Sequence, residues 1–157
     1  LIIIYLELSE LYIKKNLERS REYANKALSI STITHSVKDQ VLANQKIGKI
    51  ELKKANYDIA LEFQMKSLDL NNSISDLQGT ALSIILIGDV YKEIRDYKRA
   101  KNQYEQALKI GNKTKNFYVL AISNSYIYKC DQTFLYLEKI NLIHLRMLIE
   151  MKYASYF

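Results

Sequence analysis

The sequence predicts an all-α protein built as a stack of antiparallel helix pairs. One observation is composition: the 157 residues include no proline and only four glycines, which favours helices and leaves little material for tight turns. The other is an internal period of 40 residues that appears in several columns of matching residues. A period of this length is typical of repeat architectures.

Columns of matching residues recur at this spacing along three successive units. Asn16, Asn56 and Asp96 each stand directly before a helical pattern, where a short polar side chain can accept hydrogen bonds from unpaired backbone N–H groups. We therefore predict them as N-caps. Small side chains, which let helices approach closely, recur in two further columns. These columns are Ser20, Ala60 and Ala100, and then Ala27, Ser67 and Ala107.

Each unit is predicted to contain two helices. The first helices are expected near residues 2–14, 39–54, 78–94 and 117–130, and the second helices near 17–31, 57–71, 97–111 and 134–152. The chain then divides into repeat 1 (1–40), repeat 2 (41–80), repeat 3 (81–120) and a C-terminal part (121–157). Because Tyr136 stands where a cap belongs, we interpret that part as a degenerate fourth repeat or as C-terminal capping helices.

The third unit carries the residues through which the chain resembles the tetratricopeptide repeat family. In the family's pattern the first helix carries bulky residues, a glycine and a tyrosine. The second helix then carries a small, a bulky and a small residue. They are Ile84, Ile87, Gly88, Tyr91, Ala100, Tyr104 and Ala107. The long period resembles that of the variant in bacterial regulatory and sensor proteins. The resemblance implies a right-handed superhelical stack, an α-solenoid, whose first helices line a concave groove.

The resemblance also implies which residues line that groove. In the family they occupy the second, fifth, ninth and twelfth positions of each first helix, which share one helical face. The implied peptide groove is formed by Tyr5, Ser9, Tyr12, Gln45, Lys49, Leu52, Leu82, Ile85, Asp89, Lys92, Ser125 and Lys129. At the ninth position a carboxylate, Asp89, is expected between the ammonium groups of Lys49 and Lys129. Exposed salt bridges would explain that series as well as ligand binding would.

We interpret the chain as a protein-interaction module that binds a protein or peptide partner. Lysines outnumber the carboxylate on the implied groove, so some acidic character is expected in that partner. Because the chain does not begin with Met, it is expected to be part of a larger regulatory or scaffold protein. A receptor for a short signalling peptide is the alternative. Single-stranded RNA binding is disfavoured, because the net charge of +6 is spread among interleaved acidic residues.

Catalysis and cofactor binding are not expected from this sequence. It has no glycine-rich phosphate loop, no paired carboxylates at metal-ligand spacing and no Ser/His/Asp set. His35 and His144 are interpreted as structural or surface residues. The single cysteine, Cys130, cannot form an internal disulfide, which suits a reducing compartment and predicts a cytoplasmic location.

The N-terminal residues are unusually apolar for the end of a stack. The run from Leu1 to Leu6 is far shorter than the roughly 20 residues that span a bilayer, so no membrane segment is expected. It does make the first helix too apolar for a face in contact with solvent. We expect either a preceding repeat or self-association with a second copy to cover it.

Overall fold

The computed structural model describes the backbone of residues 1–154 and the side chains of residues 1–147. Within these residues it contains seven helices and no strand. They are α1 (Ile2–Tyr12), α2 (Leu17–Ile33), α3 (Val37–Lys53), α4 (Tyr57–Ser73), α5 (Leu77–Glu93), α6 (Tyr97–Thr114) and α7 (Phe117–Ala154). Each helix packs against the next, and the pairs α3–α4 and α5–α6 share the largest contacts. The predicted all-α stack of helix pairs is confirmed.

The helices begin at a regular interval that is half the predicted period. From α2 onward they start at residues 17, 37, 57, 77, 97 and 117. The links before α3 to α7 each contain one residue in the left-handed region, with φ between 52° and 63°. These residues are His35, Ala55, Ser75, Arg95 and Lys115. The same tight turn thus reverses the chain five times. Each turn places a residue with a side chain in the left-handed region, which costs conformational free energy.

Two of the three predicted N-caps are confirmed. The side chains of Asn16 and Asp96 each accept a hydrogen bond from the backbone N–H three residues on, at 2.9 Å. Asn56 does occupy the N-cap position of α4, but the expected capping bond is absent because its side chain bonds elsewhere. It instead donates through Nδ2 to Oε2 of Glu51 at 2.6 Å. Glu51 is only 2% exposed, and a buried carboxylate needs such donors.

Three of the first helices have their own cap column, which lies at residues 36, 76 and 116. Asp76 accepts from the backbone N–H of Gly79 at 2.9 Å, and Asn116 accepts from that of Val119 at 3.1 Å. Helices α3 and α5 therefore begin at residues 37 and 77, slightly earlier than predicted. These N-caps could have been predicted from their 40-residue spacing in the sequence.

The small-residue columns form the seams where the helices meet. Their members Ser20, Ala27, Ala60, Ser67, Ala100 and Ala107 are all fully buried. Around the last of these seams lies the larger hydrophobic core, which joins α5, α6 and α7. At its centre the Tyr104 ring packs among Ala81, Ile84 and Val119. Small residues in the seams thus allow neighbouring helices to pack at short interaxial distances.

The C-terminal part differs from the prediction. A separate helix over 134–152 was expected, but Phe117–Ala154 is one continuous helix. By the 40-residue register, residues 134–136 correspond to the three-residue link 94–96 of the preceding pair. They are Phe, Leu and Tyr, and Tyr136 offers no capping side chain at the position that Asp96 fills in the preceding pair. The helix therefore continues through the place where a turn was expected.

The predicted repeat limits do not coincide with the links between helices. Residues 40, 80 and 120 fall inside α3, α5 and α7, and the helix pairs themselves occupy residues 2–33, 37–73 and 77–114. The division of the chain into repeats stays a prediction.

Candidate functional site

The first helices of the pairs lie together on one side of the stack. Contacts join α1 to α3, α3 to α5 and α5 to α7, whereas within the described residues no contact joins α2 to α4 or α4 to α6. The second helices are therefore farther apart than the first helices, so the stack curves around the first helices. We call the solvent-facing side of α1, α3, α5 and α7 the inner face.

A cleft of about 410 Å³ opens between α1 and α3, and we call it the N-terminal cleft. Its walls are Ile3, Leu6, Glu7, Glu10, Leu42, Gln45, Lys46 and Lys49. Lys46 is ion-paired with Glu10 across the cleft. The hydrogen bond from Lys46 is the main cause that lowers the pKa of Glu10, and the charge of Lys49 adds to it. The cleft thus has an apolar floor and a charged rim.

A second cleft of about 260 Å³ lies between α3 and α5, and we call it the middle cleft. It shares Leu42 and Gln45 with the N-terminal cleft, and Leu82 of α5 forms part of its other wall. The two clefts therefore adjoin each other at these two side chains of α3, and together we call them the channel. An extended chain could pass from one to the other over Leu42.

Gln45 is held in place by a buried polar cluster behind the channel. Its Nε2 donates to Oγ of Ser83 at 3.2 Å, and Asn71 Nδ2 donates to the same oxygen at 3.0 Å. Ser83 has a single hydroxyl proton, so it must donate that proton to Oγ of Ser67, 2.8 Å away. One of the two Nε2 hydrogens of Gln45 is used in this cluster, which fixes the orientation of its side-chain amide. The Oε1 atom of that amide can accept a hydrogen bond from a ligand backbone.

A cluster of charged and aromatic side chains lies where α5 approaches α7. Oδ1 of Asp89 accepts from Nζ of Lys92 and from the hydroxyl of Tyr104, both at 2.9 Å. The ammonium groups of Lys92 and Lys129 lie 5.0 and 5.6 Å from the centre of the Tyr126 ring. The arrangement places two cations against one aromatic ring, which is favourable when the ring face is partly desolvated.

Three pKa values in this cluster are raised, those of Lys92, Tyr104 and Tyr126. Burial is the main cause that raises the pKa of Tyr104, and the charge of Asp89 raises it further. Burial alone would lower the pKa of Lys92, but the hydrogen bond and charge of Asp89 outweigh that effect and raise it. Lys92 therefore stays charged and Tyr104 stays neutral at physiological pH.

Next to this cluster a cleft of about 510 Å³ opens between the end of α5 and α7, and we call it the basic cleft. Lys92, Arg95 and Lys129 contribute three cations to its wall, against the single carboxylate of Glu93. Lys92 is paired with Asp89 and Glu93, so Arg95 and Lys129 supply the positive charge that can attract a carboxylate. Cys130 also lines it, but burial, followed by the charge of Asp131, raises the pKa of its thiol, which disfavours the reactive thiolate.

Two of the implied groove residues are buried and cannot contact a ligand in the groove. Ser9 is fully buried, and its hydroxyl donates to the backbone oxygen of Ser20 at 2.8 Å. Ile85 is 5% exposed and belongs to the hydrophobic core. Tyr5 and Tyr12 pack against the Tyr23 ring of α2, at 6.2 and 5.6 Å between ring centres.

The differences in α1 come from the link that follows it. Residues 13–16 separate α1 from α2, whereas three residues separate α3 from α4 and α5 from α6. In the link after α1, the backbone N–H of Asn16 donates to the backbone oxygen of Tyr12, four residues back. In the link after α3, the backbone N–H of Asn56 donates to the backbone oxygen of Glu51, five residues back. One extra residue turns a helix by about 100°. Positions carried over from α3 and α5 therefore face a different direction on α1.

The other implied residues remain accessible to different degrees. Gln45, Lys49 and Leu82 line the channel, and Lys92 and Lys129 line the basic cleft. Leu52 is half-buried and Ser125 is exposed on α7. The expected series with Asp89 between Lys49 and Lys129 is not formed, because Asp89 pairs with Lys92 on its own helix.

Several residues of these walls were not assigned to the groove from the sequence, among them Ile3, Leu6, Leu42 and Arg95. Leu42 precedes Leu82 by 40 residues and could have been found by that spacing alone. No repeat signal identifies Ile3 or Leu6, because the register of α1 differs.

Comparisons with known proteins agree with this architecture. Residues 39–113 match the tetratricopeptide repeat family. No curated protein matches the sequence. Among the described residues, no helix is long and apolar enough to cross a membrane, and no group of three or more potential metal-ligating side chains lies together.

Several solved structures share the fold. The apo form of RapI is 24% identical, with a TM-score of 0.74 over 92% of this chain and 53% of its own length. A signal-transduction ATPase with a tetratricopeptide repeat sensor from Pyrococcus horikoshii is 24% identical, with a TM-score of 0.75 over 88% of this chain and 22% of its own. A Rap protein complexed with Competence and Sporulation Factor is 19% identical, with a TM-score of 0.76 over 92% and 42%. This chain thus spans about half or less of each of these proteins.

Proposed function

Residues 39–113 match the tetratricopeptide repeat family, and from that premise we propose that this chain binds a peptide segment of a partner protein along its inner face. The observation that carries the proposal is the channel, the adjoining N-terminal and middle clefts, with the basic cleft at the far end of α5. Its walls combine the apolar side chains of Leu42 and Leu82 with the anchored amide of Gln45. Peptide sites commonly combine apolar pockets with a few fixed polar groups in this way.

The distances between the clefts define what peptide would fit. Packed helices lie about 8–10 Å apart, so the basic cleft lies roughly 20 Å from the N-terminal cleft along the inner face. An extended peptide covers that distance in about six residues. The expected ligand therefore has an apolar side chain for Leu42 and, about six residues away, a carboxylate for Lys92, Arg95 and Lys129.

The lysines of the inner face support a peptide rather than a nucleic acid. Lys46 is paired with Glu10, and Lys92 with Asp89, so acidic groups interrupt any basic stripe. A phosphate backbone would need several unopposed cations in sequence. We also propose that the chain acts without catalysis in the cytoplasm, as part of a larger regulatory or scaffold protein.

A receptor for a short signalling peptide is the second candidate. The N-terminal cleft, about 410 Å³ in volume, supports it because a cleft of this size can take one or two side chains of a free peptide. The two candidates differ in the ligand they require. A receptor would bind a free peptide through its termini, whereas an interaction module would bind an internal segment.

A display library of random ten-residue peptides tests the proposal directly. Peptides enriched on the wild-type chain should carry an apolar and an acidic residue about six positions apart. Fluorescence anisotropy with the enriched peptides should then show at least a tenfold loss of affinity for the double variant Arg95→Glu, Lys129→Glu, because it reverses the charge of the basic cleft. Leu82→Lys should cause a similar loss. Blocking the termini of the enriched peptides distinguishes the two candidate functions. The block should weaken binding to a receptor for free peptides but not binding to an interaction module.

Lys109→Glu, an exposed change on α6, is the matched control and should leave affinity unchanged. Peptide binding should weaken only modestly with salt, whereas a 20-residue oligouridine probe that bound through its phosphates would lose affinity steeply. If the enriched peptides bind the basic-cleft variant and Leu82→Lys as tightly as wild type, the inner face is not the binding surface.

A further inference from the structure

A further cleft of about 400 Å³ opens between the start of α6 and α7, and we call it the aromatic cleft. Tyr97 contributes one ring to its wall and is partly buried against the hydrophobic core. Phe134 contributes a second ring and is 52% exposed. The other wall residues are Lys98, Lys101, Cys130 and Asp131. Walls of this kind favour an aromatic occupant, because paired rings attract each other beyond the effect of burial alone.

The preceding unit has a ring of its own at the equivalent position. Asp131 of α7 stands 40 residues after Tyr91 of α5, and Lys101 stands 40 residues after Leu61. The Tyr91 ring packs against the hydrophobic core, with the guanidinium of Arg99 4.8 Å from its centre. Between α6 and α7 the shorter Asp131 side chain instead pairs with Lys101 at 2.6 Å, and this ion pair lines the cleft. The aromatic cleft therefore lies where the repeat pattern would place a ring.

The aromatic cleft adjoins the basic cleft. Tyr97 and Cys130 belong to the walls of both. Cys130 is only 3% exposed, and a buried free cysteine packs as a small apolar side chain. Groups bound in the two clefts would therefore be close neighbours along one ligand. In an extended peptide, side chains two positions apart point to the same side and lie about 7 Å apart.

The cations around the two clefts define the charge of such a ligand. Arg95, Lys98 and Lys129 form no salt bridge within the part of the chain that the structure describes. Lys98 lines the aromatic cleft, and the other two line the basic cleft. The carboxylate of Asp131 is already neutralised by Lys101. Positive charge is thus in excess around both clefts, which favours an acidic ligand.

We propose that the aromatic cleft binds an aromatic side chain of an acidic peptide, one or two positions from the carboxylate that the basic cleft receives. The inference rests on the peptide binding proposed above and adds a second requirement to the sequence of the ligand. The ligand ring packs against Tyr97 and Phe134, and the ammonium group of Lys98 can approach its face. Arg95 and Lys129 attract the neighbouring carboxylate.

Selection from the ten-residue display library tests the added requirement. Peptides enriched on the wild-type chain should carry Phe, Tyr or Trp within two positions of the acidic residue. Selection on Phe134→Ala should retain the acidic residue and lose the aromatic preference. Asp131→Tyr should do the same, because its ring would fill the cleft as Tyr91 fills the equivalent position. Tyr136→Ala removes an exposed ring outside the cleft, so this matched control should retain both preferences.

Fluorescence anisotropy with one enriched peptide and its aromatic-to-alanine counterpart measures the contact. Phe134→Ala should weaken binding of the aromatic peptide roughly threefold to tenfold, because a ring pair is lost. It should leave binding of the alanine peptide unchanged, because that peptide has no ring to pair with Phe134. Circular dichroism should show the same thermal midpoint for Phe134→Ala and Tyr136→Ala, since both side chains are exposed.

The peptide site and the aromatic requirement fail in different ways. Enrichment of acidic peptides without an aromatic preference would overturn the aromatic cleft alone. An equal loss of affinity for the aromatic and the alanine peptide in Phe134→Ala would do so too. Unchanged peptide binding by the double variant Arg95→Glu, Lys129→Glu would instead overturn the basic cleft as the carboxylate site, and this inference with it.

Discussion

Gly88 of α5 lies directly against the ring of Tyr104 on α6. A Cβ atom at position 88 would lie 2.6 Å from Cε1 of that ring, well inside van der Waals contact. Tyr104 cannot move aside easily, because it is fully buried and its hydroxyl is bonded to Asp89. The glycine thus sets the distance between the two helices of the pair.

Gly88→Leu should therefore lower the free energy of unfolding by about 2–4 kcal/mol, since overpacking forces the helices apart. The thermal midpoint should fall by roughly 5–15 °C, as measured by circular dichroism. Ser29→Leu, at an exposed site on α2, is the control and should change little. An unchanged midpoint for Gly88→Leu would show that the pair does not depend on this contact.

Ser83 and Ser123 occupy the same repeat position but should respond oppositely to alanine. Ser83 makes three hydrogen bonds in the cluster that holds Gln45, so Ser83→Ala should cost about 1–3 kcal/mol. Ser123 is fully buried, and its hydroxyl has no hydrogen-bond partner. Ser123→Ala should thus be neutral or stabilising. Urea denaturation of the two variants checks this, and a large loss for Ser123→Ala would reveal an unrecognised bond.

Ala55 adopts a φ of 60° in the link between α3 and α4, where glycine has no steric penalty. Ala55→Gly should raise the free energy of unfolding by about 0.5–1 kcal/mol, because relief of strain exceeds the added freedom of the unfolded chain. Lys109→Gly inside α6 should instead lower it by about 1 kcal/mol. Both values come from urea denaturation, and a destabilised Ala55→Gly would contradict the strain argument.

Alkaline conditions should destabilise the protein through Tyr104. Its pKa is raised in the folded state, by burial first, so the folded protein keeps a proton that the unfolded chain releases above the ordinary tyrosine pKa of about 10. The stabilisation is complete below that pH and is lost as pH rises, by at most about 1.4 kcal/mol per unit. Lys92, whose pKa is also raised, acts in the same direction.

Urea denaturation from pH 8 to 11.5 measures this dependence. Tyr104→Phe should be less stable at pH 8, because the bond to Asp89 is lost, but its stability should fall less steeply above pH 10. Parallel slopes for the two proteins would show that Tyr104 does not cause the alkaline loss.

Several local features could be predicted because they depend on neighbouring residues in the chain. Asn16 and Asp96 were identified as caps, and the column of Ser36, Asp76 and Asn116 could have been found by the same spacing. Asn56 could not be assigned correctly, since its partner is the buried carboxylate of Glu51. That carboxylate is also paired with Arg21 of another helix. Such competition depends on burial, which the local sequence does not show.

The sequence by itself determined the helical class, the 40-residue period and the small-residue seams, because these follow from helix propensity, capping chemistry and the spacing of side chains along one helix. Tertiary packing decided which side chains remain available on the inner face. A link with one more residue and no left-handed turn changes the register of α1 and buries Ser9. Contact with α6 and α7 buries Ile85 and directs Asp89 to Tyr104. The continuous α7 likewise leaves apolar side chains exposed between residues 134 and 147, because Tyr136 supplies no cap for a separate second helix.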